Sequence, residues 1–164
     1  MTNGVLVVGY GNALRTDDGL GRHAAERLAD DPRLDGVTVI GRQQLTPDLA
    51  LDVSRACLVV FVDASHGPPA GSFTIERMER TGTRATAWSH QLSPSSLVAL
   101  ARELYGEAPD VFLVSVGVKS LDLGDRLSPV VEATLPRLVD AVADLVADRA
   151  VRDGTMPVAD NDCA

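Results

Sequence analysis

Residues 5–21 read VLVVGYGNALRTDDGLG, and they constrain the fold more than any other stretch of the chain. An apolar run, Val5–Val8, stops at a glycine turn, and the turn leads into a helix start. A strand that passes through glycines directly into a helix is the opening of a nucleotide-binding βα unit. The charge at that helix start is wrong for a nucleotide. Phosphate binds helix N-termini because free N–H groups and the helix dipole make them positive. Here the first turn carries two adjacent carboxylates, Asp17 and Asp18, which repel phosphate and suit a cation.

The rest of the chain repeats the alternation. Further strands are expected at Val37–Ile40, Cys57–Val62, Ser72–Glu76 and Val111–Val116. The run Cys57–Val62 is continuously apolar, as in a strand covered on both faces. Ser72–Glu76 alternates, as an edge strand does. Helical spacing at Leu20, Ala24 and Leu28 predicts a helix over 17–30, and a shorter one is expected over 48–54. A third helix has Ser93 as N-cap, Pro94 at its first position and Gly106 as its stop, with a core face of Leu97, Leu100 and Leu104. A fourth starts at Ser128–Pro129 and carries a stripe of Val131, Leu135, Leu138, Val142 and Leu145, with Pro136 expected to kink it. Strands alternating with helices imply a three-layer α/β/α sandwich around a mostly parallel, twisted five-stranded sheet with one antiparallel edge, of the phosphorylase/hydrolase-like kind. The expected organisation is a single domain over residues 1–150 and a disordered tail over 151–164.

The chain has 164 residues, is 45% hydrophobic and carries a net charge of −8. That charge argues against nucleic acid or an anionic membrane as the main partner. The N-terminal stretch has no basic region followed by a long apolar one, so no signal peptide is expected. No apolar run approaches the ~20 residues of a membrane span. Cys57 and Cys163 have no nearby partner and form no Cys-x-x-Cys pair, so neither a disulfide scaffold nor a cysteine metal site is expected. A reducing cytoplasm is the expected setting.

Three polar residues stand where loops leave strands or enter helices: Asp18, Asp63 after the run Leu58–Val62, and His90 before the third helix. If strands one and three are neighbours, the two carboxylates converge and His90 can join them. Two carboxylates and an imidazole suit a divalent transition metal with open positions, which can polarise a carbonyl or activate water. Each residue also has an ordinary explanation. An acid in a first helical turn is favoured by the dipole alone, an Asp after a strand is a common turn residue, and a lone His before a helix is commonly a surface residue. His23 is expected to be solvated. So is His66, which is close enough to Asp63 to act as a reserve ligand. A dinucleotide fingerprint is incomplete, since Leu14 stands at its third glycine. There is no Gly-x-Ser-x-Gly elbow, and Cys57 lies inside a buried run.

The series GYGNALRTDDGLG, then VDAS closing the third strand, then SHQLSP, then LVSVGVKSLDLGDRLSPVVEATL, resembles the nickel–iron hydrogenase maturation proteases over Val5 to about Leu145. The resemblance implies a cytoplasmic endopeptidase that removes the C-terminal extension of a hydrogenase large-subunit precursor after nickel insertion. It implies nickel supplied by the substrate, with no nucleotide, and held by Asp18, Asp63 and His90. Asp17 is then a candidate general base, the alternative being that the metal polarises the scissile carbonyl. Gln43 and Gln44 are candidate contacts to the substrate backbone, by position. The chain departs from the family in its second loop, where Gly41–Pro47 replaces a common Asp-Gly-Gly-Thr, which implies a client from a different hydrogenase subgroup. A monomer or weak dimer is expected. A nickel-binding chaperone with the same ligands, and a Rossmann-like nucleotide or adenosyl-cofactor enzyme, are the alternative functions.

Overall fold

The computed structural model describes residues 4–79 and 92–152. His90 and residues 153–164 of the expected tail lie outside the described residues. Five strands form one sheet: β1 (Gly4–Tyr10), β2 (Thr38–Arg42), β3 (Ala56–Ser65), β4 (Phe73–Arg77) and β5 (Asp110–Gly117). Their order is β2-β1-β3-β5-β4, parallel throughout except for β4, which runs antiparallel along β5 at the edge. The helices are α1 (Leu20–Ala29), α2 (Leu49–Arg55), α3 (Pro94–Tyr105), α4 (Pro129–Glu132) and α5 (Leu135–Arg152).

Period-two alternation along the central strands divides the core into two layers. Val5 and Val7 of β1 and Leu58, Val60 and Val62 of β3 pack under α1 and α5. Leu6 and Val8, with Val59 and Phe61, pack under α2 and α3. Strands β1 and β3 are therefore apolar on both faces, as buried parallel strands must be. The expected three-layer sandwich is the observed architecture.

Several elements differ in detail, each for a local reason. The predicted first helix begins as a 3₁₀ turn, Thr16–Gly19, and becomes α-helical only at Leu20. Leu20, Ala24 and Leu28 are its buried face, as their spacing predicts. Ser93 caps α3 by accepting from the Ser96 N–H at 3.1 Å, and Gly106 ends it in the left-handed region at φ 81°. The buried face of α3 is Leu97, Val98 and Ala101, with the expected Leu100 packed half-buried against the same layer; Leu104 instead is 59% exposed. The helix turns Leu104 past the sheet in its last turn. Pro136 breaks the last helix outright. Its ring has no N–H and crowds the carbonyl four residues back, so Ala133 and Thr134 separate α4 from α5. The Thr134 hydroxyl there donates to the carbonyls of Gly71 (2.8 Å) and Val130 (3.0 Å). No helix among the described residues is long and apolar enough to cross a membrane.

Candidate active site at the strand switch point

From β1 the chain crosses to β2 on one side; from β3 it proceeds to β4, at the far edge on the other, before returning to β5 beside β3. The carboxyl ends of β1 and β3 thus diverge, and a crevice opens between them. The last paired residues are Gly9 and Val62. The next residue on each strand, Tyr10 and Asp63, faces this opening, and the Tyr10 hydroxyl donates to Asp63 Oδ2 at 2.8 Å. Val62 points toward α1 and α5, so alternation turns Asp63 to the α2/α3 side.

A cleft of about 290 Å³ lies there. Tyr10 closes β1, Gly11 and Asp18 come from the segment after it, Gln43, Gln44 and Leu45 from the loop after β2, and Asp63 to His66 from the end of β3 and the residue beyond it. Leu92, Val118 and Leu121 close the rim. The structure thus brings together Asp18, Asp63, Gln43 and Gln44. His66, the reserve candidate, lines the same cleft and is exposed. Tyr10 is the site residue that sequence reading missed. Its signal was a polar-tipped aromatic at the end of an apolar strand, one residue before the turn.

Glycine makes this approach possible at two positions. A Cβ on Gly9 would fall onto the carbonyl oxygen of Gly21, so β1 and α1 touch through bare backbone. Gly11 has φ +146°, and a Cβ there would strike the Asp18 carbonyl. The turn's N–H groups are already committed. Gly11 N–H donates to the Arg42 carbonyl at 3.0 Å and Asn12 N–H to Asp18 Oδ2 at 2.9 Å. A phosphate would find neither donor free, so the turn has the outline of a nucleotide loop without its function.

The two neighbouring aspartates have opposite environments. Asp17 is fully buried and does not line the cleft. Its carboxylate accepts from the N–H groups of Lys119 (2.8 Å), Ser120 (3.0 Å) and Ser128 (2.7 Å), and from the Ser128 hydroxyl (2.8 Å). Burial pushes its pKa up, but these donors outweigh burial and hold it below the ordinary value. The candidate general base is therefore turned away from the cleft and has no free face for a water. It ties the loop after β5 to the loop after β1. That junction is reinforced where Thr16 N–H donates to the Gly124 carbonyl (2.9 Å) and Gly124 N–H to that of Leu14 (3.0 Å).

Asp63 is pushed the other way, up to about 6. Burial is the main cause. The Tyr10 hydroxyl draws it down, the nearby Asp18 charge raises it, and the Ala64 N–H lowers it slightly. Tyr10 itself is raised, first by burial and then by the charge of Asp63. The cleft is thus a desolvated place with excess negative charge. Among the described residues, no group of three His, Cys, Asp or Glu is assembled to hold a metal. Asp18 and Asp63 supply two donors, and His90 lies outside the described residues.

This architecture has close counterparts. The [NiFe] hydrogenase maturation protease HycI from Thermococcus kodakarensis KOD1 superposes with a TM-score of 0.69 at 26% identity, over 88% of this chain and 93% of that one. The maturating endopeptidase HybD from E. coli does so with a TM-score of 0.69 at 27% identity, over 89% and 93%. In sequence, the hydrogenase expression/formation protein HoxM of Azotobacter vinelandii is 29% identical over 161 residues, 92% of this chain and 77% of that protein. The chain is similar to hydrogenase maturation proteases in both fold and sequence.

No protein-family model matches the chain. The proteins it resembles are hydrogenase maturation peptidases, which supports a peptidase with a role in hydrogenase maturation. Its cleft sits at the switch point of the sheet, where α/β folds place their sites.

Proposed function

We propose that this protease removes the C-terminal extension of a nickel–iron hydrogenase large-subunit precursor once nickel has been inserted. Nickel arrives with the substrate, and Asp18, Asp63 and His90 complete its coordination. The observation that carries this reading is the paired placement of Asp18 and Asp63 in one cleft, with Asp63 desolvated. A divalent cation relieves that repulsion, and the chemistry of two carboxylates with an imidazole suits nickel. Docking of the scissile segment then depends on the metal, which makes cleavage a checkpoint on nickel insertion.

The bound nickel supplies Lewis-acid polarisation of a carbonyl. Gln43 and Gln44, on the rim, hold the extended substrate backbone by amide hydrogen bonds. Asp17 serves the loops rather than the proton transfer, because its oxygens are occupied. Gln43, Gln44 and Leu45 of the Gly41–Pro47 stretch line the cleft where the client is read, so its departure from the common family pattern sets a particular client subgroup. The enzyme acts in the cytoplasm.

The test uses purified protein with nickel-loaded precursor, a nickel-free control, and mass spectrometry of the products. Loss of a C-terminal peptide only with nickel, abolished by Asp63→Asn, is the expected result. Nickel-dependent binding without cleavage would instead make the protein a maturation chaperone.

A further inference from the structure

We infer that Tyr10 is a positioning residue that fixes how the site presents oxygen to a cation, by withholding one oxygen of Asp63 from it. This rests on the proposed metal-recognition reading and concerns a residue outside the ligand set. Tyr10 closes β1, and its ring packs against the core layer under α2 and α3. The ring is thereby anchored, and the position of its hydroxyl is set by the sheet rather than by the loop. From there it donates to Asp63 Oδ2 at 2.8 Å, a charge-assisted bond when Asp63 is ionised.

The same turn treats the second carboxylate alike. The Asn12 N–H, two residues on, donates to Asp18 Oδ2 at 2.9 Å. One strand end and its turn thus tether one oxygen of each acid, and the Ala64 N–H also bonds the Asp63 carboxylate. A cation between them is offered two single-oxygen carboxylates rather than two chelating pairs. Calcium takes about 6–8 oxygens and readily uses both oxygens of a carboxylate. Transition metals of the nickel kind accept fewer donors in a defined geometry. Tyr10 therefore biases the site toward the transition metal and against calcium.

Tyr10→Phe removes the hydroxyl and keeps the ring. Titration calorimetry of the full chain with nickel alone and with calcium alone, for wild type and Tyr10→Phe, reads the effect. The variant is expected to lose about tenfold in nickel affinity, the scale of a lost outer partner. Its calcium affinity is expected to hold or rise, so the nickel-to-calcium ratio falls by the same factor or more. An unchanged ratio in a variant that melts with wild type overturns the inference. X-ray absorption of nickel-loaded wild type gives a second test that needs no variant. Single-oxygen carboxylate ligation is expected, and a chelating carboxylate overturns it. Wild-type cleavage of nickel-loaded precursor, assayed alongside, separates the two levels. Cleavage with an unchanged ratio removes only the role of Tyr10. Wild type that neither binds nickel nor cleaves removes both readings.

Discussion

Asp63 and Asp17 illustrate how the environment decides what an aspartate is for. Asp63 is held near pKa 6 against an ordinary 3.8, a difference worth about 3 kcal/mol. Because its folded-state pKa is raised, its relative contribution to stability is intact below the ordinary value and is lost as pH rises from about 4 through about 6. Asn keeps an acceptor for Tyr10 and carries no charge. Metal-free Asp63→Asn should therefore be more stable than wild type at pH 8 by about 1–2 kcal/mol, with the gain vanishing toward pH 4, while cleavage is abolished. Thermal melts across that range check it, and a variant that is no more stable at pH 8 contradicts the account. Asp17 has the opposite sign. Its stabilisation is complete above the ordinary carboxylate value and is lost only as pH falls below it, through its lowered folded-state pKa. Asp17→Asn turns an amide donor toward backbone donors and leaves at least one N–H unsatisfied, for a cost of about 3 kcal/mol. A lowered urea midpoint is expected, together with faster hydrogen exchange over 118–128. A catalytic base that did nothing structural would lower activity and leave both unmoved.

Element by element, legibility followed the strength of the local signal. The continuous run Leu58–Val62 and the alternating Ser72–Glu76 announced a central and an edge strand, because burial on two faces and on one face leave different patterns. The caps Ser93–Pro94 and Gly106 located α3 to the residue. Leu104 was misplaced because a helical stripe does not reveal where the helix runs past the edge of the core. Although β3 runs two residues beyond Asp63, which pairs with Ser115 of β5 because the ladder continues past the apolar run, Asp18 and Asp63 were legible as acids near strand ends. The contrast between Asp17 and Asp18 was not, since Asp17's donors come from residues more than 100 positions away. Glycines 9 and 21 were visible in sequence, but their mutual contact depends on the tertiary approach of α1 to β1. A Cβ on Gly21 would strike the backbone of Tyr10 and the carbonyl of Val62. Gly21→Ala is therefore expected to lift α1 from the sheet, costing about 3 kcal/mol as overpacking against backbone does. The first turn of that lifted helix follows Asp18, so metal affinity should fall with stability. Parallel melts and nickel titrations check this. A stable variant with normal affinity would mean that the helix–strand contact yields easily.

At the scale of the molecule, strand order explains why a site at the ends of strands can be rigid. β1 and β3 are flanked by strands on both sides and by helices on both faces, and they carry Tyr10 and Asp63 at their ends. β4 has one neighbour, and Thr74, Ile75, Glu76 and Arg77 along it are exposed. An amide in the middle of β3 can exchange only when both neighbouring ladders open, which amounts to unfolding the domain. An amide in β4 needs only the edge to fray. Native-state hydrogen exchange should therefore assign Val59–Val62 the free energy of global unfolding. β4 should exchange at least about tenfold faster, a gap of about 1.4 kcal/mol or more. The platform beneath Asp63 would then be the last part of the fold to open, and a desolvated carboxylate could persist there because nothing softer lies below it. Equal protection in β3 and β4 would mean a single cooperative unit, with the rigidity of the cleft belonging to the whole sheet rather than to its central strands.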